Sequence, residues 1–296
     1  MKIYDCFLFH DESMLLDLRF NVLNDYVDKF VITESTYLHN GLPKKLNFDI
    51  SNFSKFKKKI EYIVVKDLPS NLVSSNKNKI SESEEKLING QLREVYQREK
   101  LLEGLKEADK DDLIIISDSD EIPNLKDLRE QKIGNEILIF KQKMFYYKFD
   151  LYYQNYDWFG SKATKKKNFI SPQWIRSVKN KSYPIWRLDI LFDRKRYNNI
   201  RFINNGGWHF TCIKKPEDVH KKLLAYSHHH DYESAKLSIK DLQDRMKSKK
   251  VLYNHRQDKT STSKWISEEE LKTIDHKFLP EYLILNKVKY KDWLEN

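Results

Sequence analysis

"LIIISDSDEIP", residues 113–123, decides how this chain is read. Four aliphatic residues, Leu113 to Ile116, run through Ser117 into Asp118, Asp120 and Glu121, and Pro123 ends the run. An apolar run bounded in this way reads as a strand buried on both faces, as in parallel sheets. Three acids at its end repel one another and lose hydration, so a cation has to compensate them. In an α/β sheet, ligands bind at the carboxyl ends of the parallel strands, and this strand delivers Asp118, Ser119 and Asp120 there. Carboxylates packed so closely suit Mn²⁺ or Mg²⁺ holding a diphosphate. The competing reading is a solvated acidic turn that merely closes the strand.

The flanking sequence supports a sheet with helices on both faces. Residues 2–10, 29–35, 59–68 and 111–120 read as strands, and 11–27 and 80–108 as helices. The order β-α-β-β-α-β implies a mainly parallel sheet. Val95, Leu102 and Leu105 define the buried face of the second helix, and Arg98 lies on that face. Arg19 sits likewise between Leu15 and Val22 in the first helix. A guanidinium on an apolar face needs an anion. For Arg98 that anion is either Glu94, one turn back, or a ligand phosphate.

Beyond residue 135 the pattern loosens. Residues 136–153 have strand composition, the Lys-rich 160–172 reads as a loop, and 185–212 is β-like. The last of these ends in "NNGGWHF" (204–210), where Gly206 and Gly207 permit close backbone approach or positive φ. His209 follows directly, as a metal ligand or as a core histidine. "HHH" at 228–230 sits in a helical context, faces several directions and reads as solvated. Residues 216–250 are mostly helical, 254–264 form a linker, and a helical tail follows.

A chain of 296 residues with 40% hydrophobic content can bury a full core. The net charge of +10 fits an anionic partner, either nucleic acid, an acidic membrane surface or a phosphorylated molecule. Two cysteines, Cys6 and Cys212, are too few for a disulfide framework. No apolar run approaches the roughly 20 residues that span a bilayer, and the N-terminus lacks the features of a signal peptide. A reduced, cytoplasmic protein is expected, with peripheral membrane contact left open.

Three blocks together resemble a known family: "DDLIIISDSDEIP", the preceding "YQREKLLEGL" (96–105) and "GGWHFTCIKKPEDVHKKLLAYSH" (206–228). With "LLDLRFNVLNDYVDKFVITESTYLHNGLPKKLNF" (15–48) and "LPEYLILN" (279–286), they are similar to glycosyltransferase family 17. That family comprises the β-1,4-mannosyl-glycoprotein β-1,4-N-acetylglucosaminyltransferase type and its bacterial and viral relatives. The resemblance implies a GT-A-like α/β fold: a Rossmann-like, mainly parallel sheet, a smaller β-rich acceptor half and a helical C-terminal tail. It divides the chain into a glycosyltransferase domain, 1–253, and a tail, 254–296. Within the domain, 1–123 bind the nucleotide sugar and 124–253 the acceptor.

The implied chemistry is metal-dependent inverting transfer, with GlcNAc moving from UDP-GlcNAc to a glycan hydroxyl. Asp118, Asp120 and His209 would hold the metal, with Asp118 also facing the donor. Arg19 and Arg98 would face the phosphates or brace the acids, and Glu34 and Ser35, ending the second strand, would meet uridine. An acceptor hydroxyl must lose a proton, and Glu121 and Asp189 are the candidate bases. Two rival readings are an Asp-X-Asp phosphotransferase or hydrolase and a basic nucleic-acid-binding protein. The latter's best segment is "SKATKKKNF" (161–169).

Overall fold

The computed structural model describes all residues except 129–130, 182, 184–192, 194–196, 198, 227–228, 257–261, 266 and 296. For 155, 229–231 and 262–263 only the backbone is described. Alternation of large apolar residues builds the main sheet. β1 (Ile3–Leu8), β2 (Lys29–Ser35), β3 (Ile60–Val65) and β4 (Leu113–Asp118) are consecutive parallel neighbours in the order β4-β1-β2-β3. Residues on one face, such as Ile3, Phe7, Ile32, Leu113 and Ile115, pack under the helix Ser13–Leu23. Their neighbours on the opposite face, among them Tyr4, Val31, Ile114 and Ile116, pack with Leu101, Leu105 and Ile175. Strands buried on both faces have to read as near-continuous apolar runs, as β4 does.

Three strands from the second half extend this sheet beyond β4. β6 (Ile137–Phe140), β9 (Lys162–Lys165) and β10 (Ile200–Ile203) complete the order β10-β6-β9-β4-β1-β2-β3. The Lys-rich loop expected over 160–172 is therefore corrected: β9 lies between β4 and β6, antiparallel to both. Lysine misled the reading because its charge is satisfied internally. The Lys162 ammonium donates to the carbonyls of Arg176 at 2.9 Å and Val178 at 2.6 Å. Lys165 and Lys167 pair with Asp111.

A second sheet is built from β5 (Glu121–Pro123), β7 (Gln142–Tyr146), β8 (Leu151–Trp158), β11 (Gly207–Thr211) and β12 (Lys272–Thr273), in the order β12-β8-β7-β11-β5. One of its faces packs Met144, Tyr146 and Leu151 with Val219, Leu242 and Trp265. The chain's end returns to the first core, where Leu283, Tyr290 and Leu294 pack with Leu16 and Phe20. Among the described residues no helix is long and apolar enough to cross a membrane. Cys6 and Cys212 are both buried free thiols.

One buried ion pair ties the sheet to the acidic loop. Arg19 is fully buried and binds both Asp5 oxygens, at 2.6 and 2.7 Å. It also donates to the backbone carbonyls of Asp118, at 3.2 Å, and Glu121, at 2.5 Å. Removing one partner of a buried pair leaves an uncompensated charge. Arg19→Met should therefore lower stability in urea titration by about 3–5 kcal/mol, and Asp5→Asn added to it should recover part of that loss. A loss under about 1 kcal/mol would show that the pair does not hold the loop.

Candidate active site

The strand registers collect the carboxyl ends of β1, β2 and β4 at one edge. Asp118 lies beside Leu8, and Leu8 beside Thr33. A cavity of about 450 Å³ opens there, with Leu8, His39, Arg98, Asp118, Asp120 and Lys222 in its wall. After β4 the chain turns at once into β5, which pairs antiparallel with β11 and sets Glu121 opposite His209. The Phe210 N–H donates to the Asp120 carbonyl at 2.8 Å. Such close pairing requires glycine: Gly207 has φ +113°, and a Cβ on it would lie 2.2 Å from the Ile122 oxygen. Gly207 thus permits close approach to β5, while a Cβ on Gly206 would lie 2.5 Å from the Lys141 nitrogen.

Each acid of the motif has its own cations. Asp118 accepts from Arg176 at 2.7 Å and Arg98 at 3.4 Å. Arg98 also binds Glu94 and Gln173, each at 2.5 Å, and it lines the cavity. Asp120 accepts from Lys222 at 3.2 Å and lies 3.4 Å from His209 Nε2. Burial alone would raise the Asp120 pKa, but Lys222 and His209 outweigh it and hold the carboxyl well below the usual carboxylate range. Glu12 shares Lys222, at 3.3 Å. Its burial is likewise outweighed, by Lys222, Lys214 and His10, and its pKa lies at about 2 against an ordinary 4.5.

Several expected site residues sit elsewhere or act otherwise. Glu121 is fully buried and outside the cavity wall. Its carboxylate accepts from the Trp158 indole at 2.7 Å, the Asp118 N–H at 2.9 Å and Arg176 at 2.7 Å. That geometry braces the loop and leaves no oxygen for an acceptor proton. Arg19 is enclosed beneath the loop and braces it too, instead of facing phosphates. Glu34 is closed over by its own neighbourhood: Lys44, the N–H groups of Asn47 and Phe48 at 2.7 and 3.0 Å, and the Tyr62 hydroxyl at 2.9 Å. Ser35 accepts from the Tyr37 N–H at 3.1 Å. Neither Glu34 nor Ser35 lines the cavity, whereas Tyr37, His39 and Lys44 just beyond them do. Asp189 lies outside the described residues, as does His228.

Sequence reasoning missed two cations, Arg176 and Lys222. Arg176 is carried by the short helix Pro172–Ser177, whose N-cap Ser171 and first-turn proline form a recognisable start signal. Lys222 lies in the helix Pro216–Ala225 and is buried there with Val219 and Ala225. Its spacing from those two residues is the same signal that singled out Arg19 and Arg98.

Among the described residues no three His, Cys, Asp or Glu side chains form a metal cluster. Asp120 and His209 nevertheless face one spot, and the buried His209 Nδ1 has no partner among the described residues. One carboxylate and one imidazole suit Mn²⁺ that takes its other ligands from a diphosphate. The pair fits such an ion, while Asp118 is occupied by its two arginines.

The family model of glycosyltransferase family 17 matches residues 1–295, effectively the whole chain. The chain belongs to glycosyltransferase family 17. It is accordingly a glycosyltransferase. A comparison with curated proteins finds no match. Among solved structures the family-17 chain has a likeness to HddC from Yersinia pseudotuberculosis, 12% identical, covering 71% of this chain and 91% of that one with a TM-score of 0.33. Another is the galactosyltransferase LgtC in complex with donor and acceptor sugar analogs: 17% identical, 57% and 59% covered, TM-score 0.26. At these scores the likenesses carry no argument.

Glu12 and Asp120 both have depressed pKa values, so the stability they contribute is present above their ordinary values. Glu12's share is lost as the pH falls from 4.5 towards about 2, and Asp120's at still lower pH. Lys222→Met removes the main cation and should shift acid unfolding, followed by circular dichroism, to higher pH. An unshifted acid limb would remove Lys222 from this role.

Proposed function

We propose that the chain transfers a sugar, GlcNAc from UDP-GlcNAc, with inversion onto a hydroxyl of a glycan acceptor. The observation that carries this reading is the Asp118–Asp120 loop, held at the carboxyl end of β4 and facing a cavity ringed by Lys44, Arg98, Arg176 and Lys222. Such a ring suits a diphosphate, whose charge grows as the sugar leaves. Asp120 and His209 would hold a Mn²⁺ or Mg²⁺ ion, which supplies charge neutralisation on the departing nucleoside diphosphate. Tyr37 and His39, at the end of β2, flank the nucleoside by topology.

Of the two carboxylates weighed as base, Glu121 is committed to the loop. The role therefore falls to Asp189, which takes the acceptor hydroxyl's proton. The charged partners in this reading are the donor and no nucleic acid.

A panel of UDP-sugars with Mn²⁺, read by sugar transfer and by thermal shift, tests the donor and the metal together. UDP-GlcNAc should give the largest shift, EDTA should abolish transfer and Asp120→Ala should lose both. Asp189→Asn should cut turnover by about 10²-fold or more with donor affinity kept. Full transfer by Asp120→Ala in EDTA would end the reading.

A further inference from the structure

The cavity has two chemically different surfaces. The charged side chains Glu94, Arg98, Asp118, Asp120, Arg176 and Lys222 surround the acidic loop. The rings of Trp158, Tyr232, His255 and Trp265, with Met144, line the same cavity. These come from the second sheet and the segments packed on it. Their rings form a continuous chain: Trp158 and His255 lie 5.6 Å apart, His255 and Tyr253 4.8 Å, Tyr253 and Trp265 5.2 Å, and Trp265 and Tyr232 5.4 Å.

We propose that the wall formed by Trp158, His255 and Trp265 is the acceptor subsite and takes a neutral pyranose ring by its C–H face. The proposal rests on the glycosyltransferase reading of this cavity. A nucleoside diphosphate belongs with the cations, and its base with the edge beyond β2, so the aromatic wall is left for the second substrate. Aromatic faces carry negative potential and attract the polarised C–H groups of a sugar. A mostly apolar surface with a few placed polar groups is what orients a neutral ligand.

The wall also begins at the reaction centre. The Trp158 ring stacks on His209 at 4.5 Å, and His209 lies 3.4 Å from Asp120. At the other end the Trp265 indole N–H is buried without a partner among the described residues, although Trp265 is only 6% exposed. A sugar hydroxyl, reached directly or through water, satisfies that donor. The His255 ring is held in place by a 2.6 Å contact between its Nε2 and the Tyr146 hydroxyl.

Saturation-transfer NMR with methyl glycosides of glucose, galactose, mannose and GlcNAc tests this, run with and without UDP and Mn²⁺. The full chain should saturate the ring C–H protons of at least one glycoside. His255→Ala should weaken that binding about tenfold, and His255→Phe, which keeps an aromatic face, should largely restore it. Trp265→Phe keeps the packing but should weaken binding through the lost N–H. UDP affinity should stay within about twofold in all three variants. No glycoside signal from the wild type, or glycoside binding unchanged in all three variants, overturns the proposal. Loss of UDP affinity in His255→Ala also overturns it, because the wall would then hold the nucleotide. Glycoside signals without any UDP binding would instead overturn the donor reading and leave the sugar subsite standing.

Discussion

Everything at the active edge depends on keeping three acids together at the end of one buried strand. Asp118, Asp120 and Glu121 would repel one another in a low-dielectric setting, where opposite charges are the effective remedy. The chain supplies a separate cation to each point of the loop. Arg19 takes the backbone carbonyls of Asp118 and Glu121 from below. Arg176 bridges the carboxylates of Asp118 and Glu121 from the side, and Lys222 joins Asp120 to Glu12. Because these cations come from three different helices, the loop also fixes how the two sheets meet. The β5–β11 pairing completes that junction and carries His209 to Asp120.

Much of this was legible in the sequence, for physical reasons that can be named. β4 declared itself because a strand covered on both faces cannot hide its apolar run. Arg19 and Arg98 declared themselves because a guanidinium on an apolar helix face demands an anion. The same logic holds for Lys222, which lies on the buried side of its helix with Val219 and Ala225. Glu34 was misplaced for a different reason. A carboxylate at a strand end can meet a ligand or cap its own following loop, and only the fold shows the N–H groups of Asn47 and Phe48 closing on it. β9 was illegible because lysine and alanine are depleted in strands and outnumber its one threonine, and its place in the sheet is set by its neighbours β4 and β6.

The division of the cavity into a charged part and an aromatic part follows from how the fold is assembled. The first-half strands bring their carboxyl ends, and cations gather there from both halves: Lys44 and Arg98 from the first, Arg176 and Lys222 from helices of the second. The second sheet brings large rings, because its strands are rich in tyrosine and tryptophan and have a second core to fill. His209 and Trp158 stand where the two meet. The proposed transfer would use such a boundary: a leaving diphosphate demands strong fields, while an incoming hydroxyl must be positioned without competing charge.

Crystals grown with UDP and Mn²⁺, with data collected at a wavelength where manganese scatters anomalously, test the central claim most directly. The account predicts UDP in this cavity, its diphosphate beside the Asp118–Asp120 loop, and one anomalous peak within bonding distance of Asp120 and His209. UDP bound elsewhere, or manganese bound away from Asp120, would contradict it.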